Sequence, residues 1–392
     1  MVDAPALRQL VGEVAGFLDA TWGRAPLHVP ASEDRADLAT LLTLDDADEV
    51  VADSGLRAPA FRLVKQGRTL PQSEVTRRVR IGSKPVSDLA DVAAVHRAVA
   101  DGATLVLQGL HRSFAPVAAF CRDLERTITH PVQANAYLTP PVAQGLNLHE
   151  DPHDVFAVQT YGTKRWVVHP PGDAQPWDLQ LRPGDVLYLP AGTRHAAQTV
   201  DTPSLHVTIG VRTTSWRQLV DRAVRAAVSE VDDLDRPLSA GWADEPTVLR
   251  EELHGLLERL AERLVQGDRA QTALDREGQA FWSTRPVDRS GGLRDLLEID
   301  HLEDDTAIRR REGATARLRP QDDGRVALDL IDRTLSLPRS VEPALRRLID
   351  GEVARPLDLD DVMDSSSRVV LCRRLVREGL LTFDRREGAV RG

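Results

Sequence analysis

The chain has 392 residues, 42% hydrophobic and 28% charged, with a net charge of −10. That length allows two or three domains, and the acidic balance argues against sequence-independent nucleic-acid binding while leaving room for a local basic patch. No apolar run approaches the roughly 20 residues that span a bilayer, MVDAPALRQLVGEV lacks the layout of a signal peptide, and Cys121 and Cys372 are too few for a disulfide scaffold or a multi-cysteine zinc site. A cytoplasmic protein without membrane contact is expected.

Near the N-terminus, LRQLVGEVAGFLDATWG has helical spacing that puts Leu10, Val14, Phe17, Leu18 and Trp22 on one side. The charged stretch from there to about Leu89 reads as loops and short elements, and VHRAVADGATLVLQGL predicts a helix, a turn and a buried strand. From Val132 to Val211 short β runs, QANAYL, VFAVQTY, KRWVVH, VLYLP and SLHVTIGV, are separated by Pro/Gly turns, the pattern of a sandwich or barrel. After Ser215 the period becomes helical, with Trp216, Leu219, Val220, Ala223, Val224 and Ala227 on one face and Leu249, Leu253, Leu256, Leu257, Leu260 and Leu264 on another. These faces either cover the barrel or pair with a second copy. A hairpin is predicted around Asp323-Gly324, and the last segment, in the order helix, short helix, helix, strand, resembles a winged helix.

The stretch NLHEDPHDVFAVQTYGTKRWVVHPP carries the densest chemistry. In extended chain His149 and Asp151 project to the same side and Glu150 to the other. A further ligand is suggested by GDVLYLPAGTRH, where Gly184, Pro190, Gly192 and His195 bracket a strand and a tight turn, a string that resembles the second motif of the cupin barrel. Two histidines and one carboxylate on one face of an ion are the ligand set of non-haem Fe(II) oxygenases. His206 alternates with Leu205 and Val207; it is a rival ligand to His195 or a residue lining the same cavity. His153 and Asp154 face substrate or solvent, and His169 reads as a turn residue. Lys164 starts the strand KRWVVH; it is either a solvated edge charge or a buried ammonium that requires an anion such as a dicarboxylic cosubstrate. Asn135 and Tyr137, two apart in QANAYL, share a face that could line that cavity.

Across residues 15 to 212, FLDATWGRAPLHV, NAYLTPPVAQGLNLHEDPHDVFAVQTYGTKRWVV, LYLPAGTRHAAQ and SLHVTIG resemble, in order and spacing, the JmjC-type ribosomal oxygenases, Fe(II)- and 2-oxoglutarate-dependent protein hydroxylases. The resemblance implies an α+β chain: a double-stranded β-helix (cupin/JmjC) catalytic domain with a mixed N-terminal extension over 1–212, a helical dimerisation segment over 213–308, and a winged-helix-like domain over 309–392. It implies His149, Asp151 and His195 as iron ligands, Lys164 on the distal carboxylate of 2-oxoglutarate, and Asn135 beside it. It also implies a homodimer and a protein or peptide substrate, ribosomal proteins included. The chain departs from the family at Leu148, where proline is usual, and at Gly210, where a bulkier or hydroxyl residue can stand; the second change leaves the substrate's identity open. A different class, a cupin-type sensor that regulates transcription, rests on Arg368, Arg373, Arg374 and Arg377, and is opposed by Asp358, Asp360, Asp361 and Asp364 just before them.

Overall fold

The computed structural model describes residues 4–33, 37–141, 147–172, 174–199, 201–232, 234–266, 268–285, 287–314, 316–330, 332–351 and 353–385. The chain divides into two units, Met1–Thr213 and Thr214–Gly392.

The single amphipathic helix expected at the N-terminus is broken. Pro5–Val11 stops at Gly12, whose φ of 74° a side chain would disfavour. The Glu13 carboxylate then caps a new turn by accepting from the N–H groups of Ala15 and Gly16, and a π-helical turn follows over Phe17–Thr21. Leu10 and Phe17 stay buried, but the break rotates Leu18 outward.

The first unit is built on strands β1 (Leu27–Val29), β2 (Phe61–Lys65), β3 (Arg68–Thr69), β4 (Thr76–Ile81), β5 (Lys84–Ala90), β6 (Thr104–Leu107), β7 (Val132–Thr139), β8 (Asp154–Gly162), β9 (Lys164–His169), β10 (Trp177–Leu181), β11 (Val186–Leu189), β12 (Arg194–Gln198) and β13 (Ser204–Val211). The larger sheet runs β1-β11-β8-β13-β7-β6-β2-β3, the smaller runs β10-β9-β12, and β4 pairs with β5. His169, expected in a turn, is the last residue of β9 and sits opposite Arg194.

Strand parity explains why β8 is apolar on both faces. Phe156 and Val158 join a core with the helix Ala115–Ile128, whose Val117, Cys121 and Leu124 point at the sheet. Val155 and Ala157 face the other way, against Trp166 and Val168 of the smaller sheet. The two sheets thus form a sandwich with helices on its outer face. Where β8 turns into β9, Gly162 has φ 62°, and a Cβ there would lie 1.8 Å from the Pro203 carbonyl oxygen. Only glycine lets the chain entering β13 pass so close, and Lys164 follows two residues later.

In the second unit, helices Trp216–Val228, Arg250–Val265 and Arg269–Ser283 are followed by Gly292–Glu298. A separate core forms around Leu345, Leu348, Leu371, Leu375 and Leu381. The hairpin expected at Asp323-Gly324 joins β15 (Arg317–Pro320) to β16 (Arg325–Asp329); β14 (Ile308–Arg310) precedes it and β17 (Thr334–Pro338) extends it. Helix Glu342–Asp350, a 3-10 turn Pro356–Leu359, helix Ser365–Arg377 and β18 (Leu381–Phe383) end the described chain. Three of the four arginines of Ser365–Arg377 are engaged internally. Arg368 pairs with Asp304, Arg373 donates to the carbonyls of Asp300 and Leu302, and Arg374 pairs with Glu378. No helix among the described residues is long and apolar enough to cross a membrane.

Candidate metal centre

His149 and His195 form an isolated antiparallel bridge. His149 N donates to His195 O at 3.0 Å and His195 N to His149 O at 2.8 Å. Residues directly opposite in such a pair project to the same face, so the backbone itself brings the two imidazoles together, with ring centroids 4.4 Å apart. Asp151 completes the group: its carboxylate lies 3.6 Å from His195 Nε2. One ligand atom from each of the three residues can be chosen so that all lie within 4.8 Å of one another.

The tautomers are fixed locally. Each Nδ1 faces a backbone carbonyl two residues upstream, Asn147 O for His149 at 2.7 Å and Thr193 O for His195 at 2.9 Å. A carbonyl can only accept, so Nδ1 carries the proton in both rings and both Nε2 lone pairs are free to bind a metal. Burial, reinforced by the neighbouring His149, holds His195 below the ordinary histidine range against the opposing pull of Thr193 O and Asp151, which favours the neutral ligand form. Two imidazoles that present Nε2 and a carboxylate fit a ferrous ion and leave its remaining positions to other donors.

The turn that delivers His195 is tied down by Asp154, which corrects the expectation that this residue faces substrate. Asp154 is 2% exposed. It accepts from Ala191 N at 3.0 Å and from the Tyr188 hydroxyl, which in turn accepts from Gly23 N at 2.8 Å. Gly192 N adds a bond to Asp151 O at 2.9 Å. His153 has its Nε2 3.2 Å from the Gln133 amide nitrogen and packs over Gly210, where a Cβ would come within 3.2 Å of the ring. It does not line the cavity described next.

A cavity of about 240 Å³ opens beside His149, Asp151 and His195 and is also lined by Tyr137, Lys164, Trp166, His206 and Arg62. Lys164 is buried there, 4% exposed, its Nζ 3.2 Å from Thr139 Oγ1 and 3.4 Å from His206 Nδ1. Among the described residues no carboxylate pairs with it, and burial lowers the ammonium from 10.5 to about 7. Burial, and secondarily the Lys164 charge, also push His206 far below the ordinary histidine range, so it is a neutral acceptor. It stacks on Tyr137 with centroids 5.0 Å apart and planes 10° apart. His206 thus lines the cavity, while His195, the other candidate, stands with His149 and Asp151. Asn135 shares the face of Tyr137, as its spacing requires, but its Oδ1 accepts from Gly109 N at 2.9 Å and it is not among the residues lining the cavity.

Sequence reasoning overlooked Trp166 and Arg62. Trp166 stacks against His195 at 5.8 Å, and its indole nitrogen is buried without a protein partner. Its place two residues after Lys164 was a usable signal of a shared face. Arg62 arrives through β2-β6-β7 pairing: Arg62 stands opposite Val106, and Val106 opposite Tyr137. No local pattern announces that.

Residues 110–177 and 171–219 match the family model of the JmjC domain. The bifunctional lysine-specific demethylase and histidyl-hydroxylase NO66 of Drosophila persimilis is 32% identical over 175 residues, covering 37% of this chain and 26% of that protein. Ribosomal oxygenase 2 of Rattus norvegicus is 31% identical over 158 residues, 34% of each chain. The chain thus spans about a quarter to a third of the length of these curated relatives. Among solved structures, YcfD, a ribosomal oxygenase from Escherichia coli in complex with cobalt and succinic acid, superposes with TM-score 0.55 at 20% identity over 94% of this chain and 97% of that one. The same protein in complex with cobalt and 2-oxoglutarate gives 0.52 at 19% identity over the same shares. The fold of the first unit is accordingly the JmjC/cupin fold.

Proposed function

We propose that this JmjC-domain chain is an Fe(II)- and 2-oxoglutarate-dependent oxygenase that hydroxylates a side chain of a protein or peptide, with ribosomal proteins as the substrate class its relatives' names point to. One observation carries the reading: two histidines with bare Nε2 atoms and a carboxylate share a cavity with a buried ammonium that has no carboxylate partner among the described residues. When bound, iron and 2-oxoglutarate supply the oxidation, in which a substrate C–H group, O2 and the oxoacid become the hydroxylated side chain, succinate and CO2.

The chain's own residues bind and orient. His149, Asp151 and His195 hold the metal by one face. Lys164 takes the distal carboxylate, which replaces the missing counter-charge beside its ammonium. The Tyr137 phenol, raised above its ordinary range by burial, remains a neutral donor over the same volume. Trp166 and Val155 form apolar wall that keeps water from the ligands. Anaerobic titration of the Fe(II)-loaded protein with 2-oxoglutarate should produce a visible charge-transfer band, followed by succinate formation with ribosomal-protein peptides. His149→Ala should remove both; an unchanged succinate rate in that variant sinks the assignment.

We assign residues 213–308 to self-association and 309–392 to a winged-helix-like domain. No residue of helices Arg250–Val265 and Arg269–Ser283 is buried, and Trp216, Val220, Leu253 and Leu257 are exposed. Such faces favour a second copy as their cover. Leu253→Asp with Leu257→Asp should yield monomers by light scattering. The transcription-regulator reading finds little support in helix Ser365–Arg377, because Arg368, Arg373 and Arg374 are already bonded within the unit.

A further inference from the structure

The arginines that remain free lie elsewhere. Residues 57–90 carry eight lysines and arginines against two carboxylates, Glu74 and Asp88, in a chain whose net charge is −10. The rest of the chain is therefore more acidic still, and this segment is a local reversal of sign. Asp88 is itself neutralised by Arg57 at 2.7 Å.

Most of these charges stand on the β4–β5 hairpin. Its two-residue turn, Gly82-Ser83, follows the rule that a positive φ, here 60°, suits the first position. A register shift between Arg77 and Val79 marks a bulge at Arg78, which lets two consecutive arginines both reach solvent. Arg77, Arg78, Arg80 and Lys84 are all exposed. Arg80 donates to Ser83 O at 3.1 Å. No carboxylate among the described residues lies within ion-pair distance of any of the four. Strand spacing puts Arg78 and Arg80 about 7 Å apart. Ile81, at the tip between the cations, is 64% exposed.

The hairpin is also anchored firmly. Arg57 bridges Leu89, Ala58 N donates to Asp88 O at 2.9 Å, and Ala90 N to Leu56 O at 2.8 Å. Residues 56–58 lead directly into β2, which supplies Arg62 and Val64 to the cavity wall. The hairpin's base and the metal cavity are therefore joined through one strand.

We propose that the β4–β5 hairpin is a docking finger for single-stranded RNA, with Arg77, Arg78, Arg80 and Lys84 taking phosphates and Ile81 packing on an unstacked base. Guanidinium forks match phosphate oxygens in pairs, and unneutralised cations release counterions from a polyanion on binding. In single-stranded RNA, unstacked bases lie beside the phosphates and offer apolar faces to a tip such as Ile81. None of the hairpin's residues lines the metal cavity, so the test of the finger does not depend on the oxygenase reading.

The test is fluorescence anisotropy of labelled oligouridine with the full chain, between about 50 and 200 mM salt. Four phosphate contacts predict a slope of log affinity on log salt of about −3. Changing Arg77, Arg78, Arg80 and Lys84 together to glutamine should weaken binding about tenfold or more at the lower salt and remove most of the slope. The milder pair Arg78→Gln and Arg80→Gln should lose roughly half the slope. Circular dichroism melting should show that both remain folded. Arg259→Gln with Arg263→Gln, on an exposed helix, and His149→Ala should bind as the parent does. Absence of RNA binding, unchanged affinity in the folded hairpin variants, or equal affinity for polyglutamate or a blunt RNA duplex overturns the proposal.

Discussion

Lys164→Met separates what the buried ammonium costs from what it contributes. In the folded chain burial lowers Lys164 to about 7, whereas an unfolded lysine keeps the ordinary 10.5. Between those values the unfolded chain holds a proton that the folded chain has released, so this group makes stability rise with pH across that window. The penalty is complete below about pH 7, where an upper bound is roughly 4 to 5 kcal/mol. Lys164→Met should therefore stabilise the ligand-free protein, most of all at pH 7 and below, by urea denaturation. A carboxylate placed against Nζ reverses the balance and holds the proton on. Binding of 2-oxoglutarate to the Co(II)-loaded protein should then take up roughly nine-tenths of a proton at pH 8 and weaken about sixteen-fold from pH 7 to 8.5. Titration calorimetry in buffers of different ionisation heat reads both quantities. In Lys164→Met the uptake should vanish, and affinity should fall a hundredfold or more, because an unpaired buried carboxylate costs about 3 to 5 kcal/mol. Heats that ignore the buffer, with an affinity flat in pH, would refute the placement of the carboxylate against Lys164.

Asp151→Ala should abolish tight Co(II) binding by calorimetry and leave the melting curve of the metal-free protein near that of the parent, since its side chain only faces the other ligands. Tyr188→Phe removes the donor to the buried Asp154 carboxylate and should cost about 1.5 to 3 kcal/mol in denaturant melts; a neutral effect would show that Asp154 does not secure the turn before His195. Gly162→Ala meets both a positive φ and the Pro203 carbonyl. A loss of about 3 kcal/mol or more is expected, and wild-type stability would mean that β13 can move aside.

Local pattern and long-range pairing contributed differently to what could be read in advance. The short β runs between Pro/Gly turns announced β7, β8, β9, β11 and β13, and the two-residue spacings His149/Asp151 and Asn135/Tyr137 gave shared faces. Lys164 was legible as a charge at an apolar strand start. Asp154 was misread because its partners, Tyr188 and Ala191, lie 34 and 37 residues away, and a carboxylate beside a histidine looks like more site chemistry. The N-terminal helix was misread for a local reason: apolar spacing runs through Gly12, but the glycine's backbone does not continue the helix. The β4–β5 hairpin was lost among loops because its charged, bulged strands bury little on either side, so no alternation of apolar residues marks them.

The bridge between His149 and His195 has a consequence for how this centre can age and vary. Each imidazole is aimed by a carbonyl of its own loop, and the loops are laced together by backbone hydrogen bonds that do not depend on which side chains they carry. Exchange of either histidine therefore deletes a donor but keeps the frame, so an inactive descendant would retain a ready-shaped hollow. Such a hollow can be reoccupied by a single codon change, without the surrounding sheet having to be rebuilt.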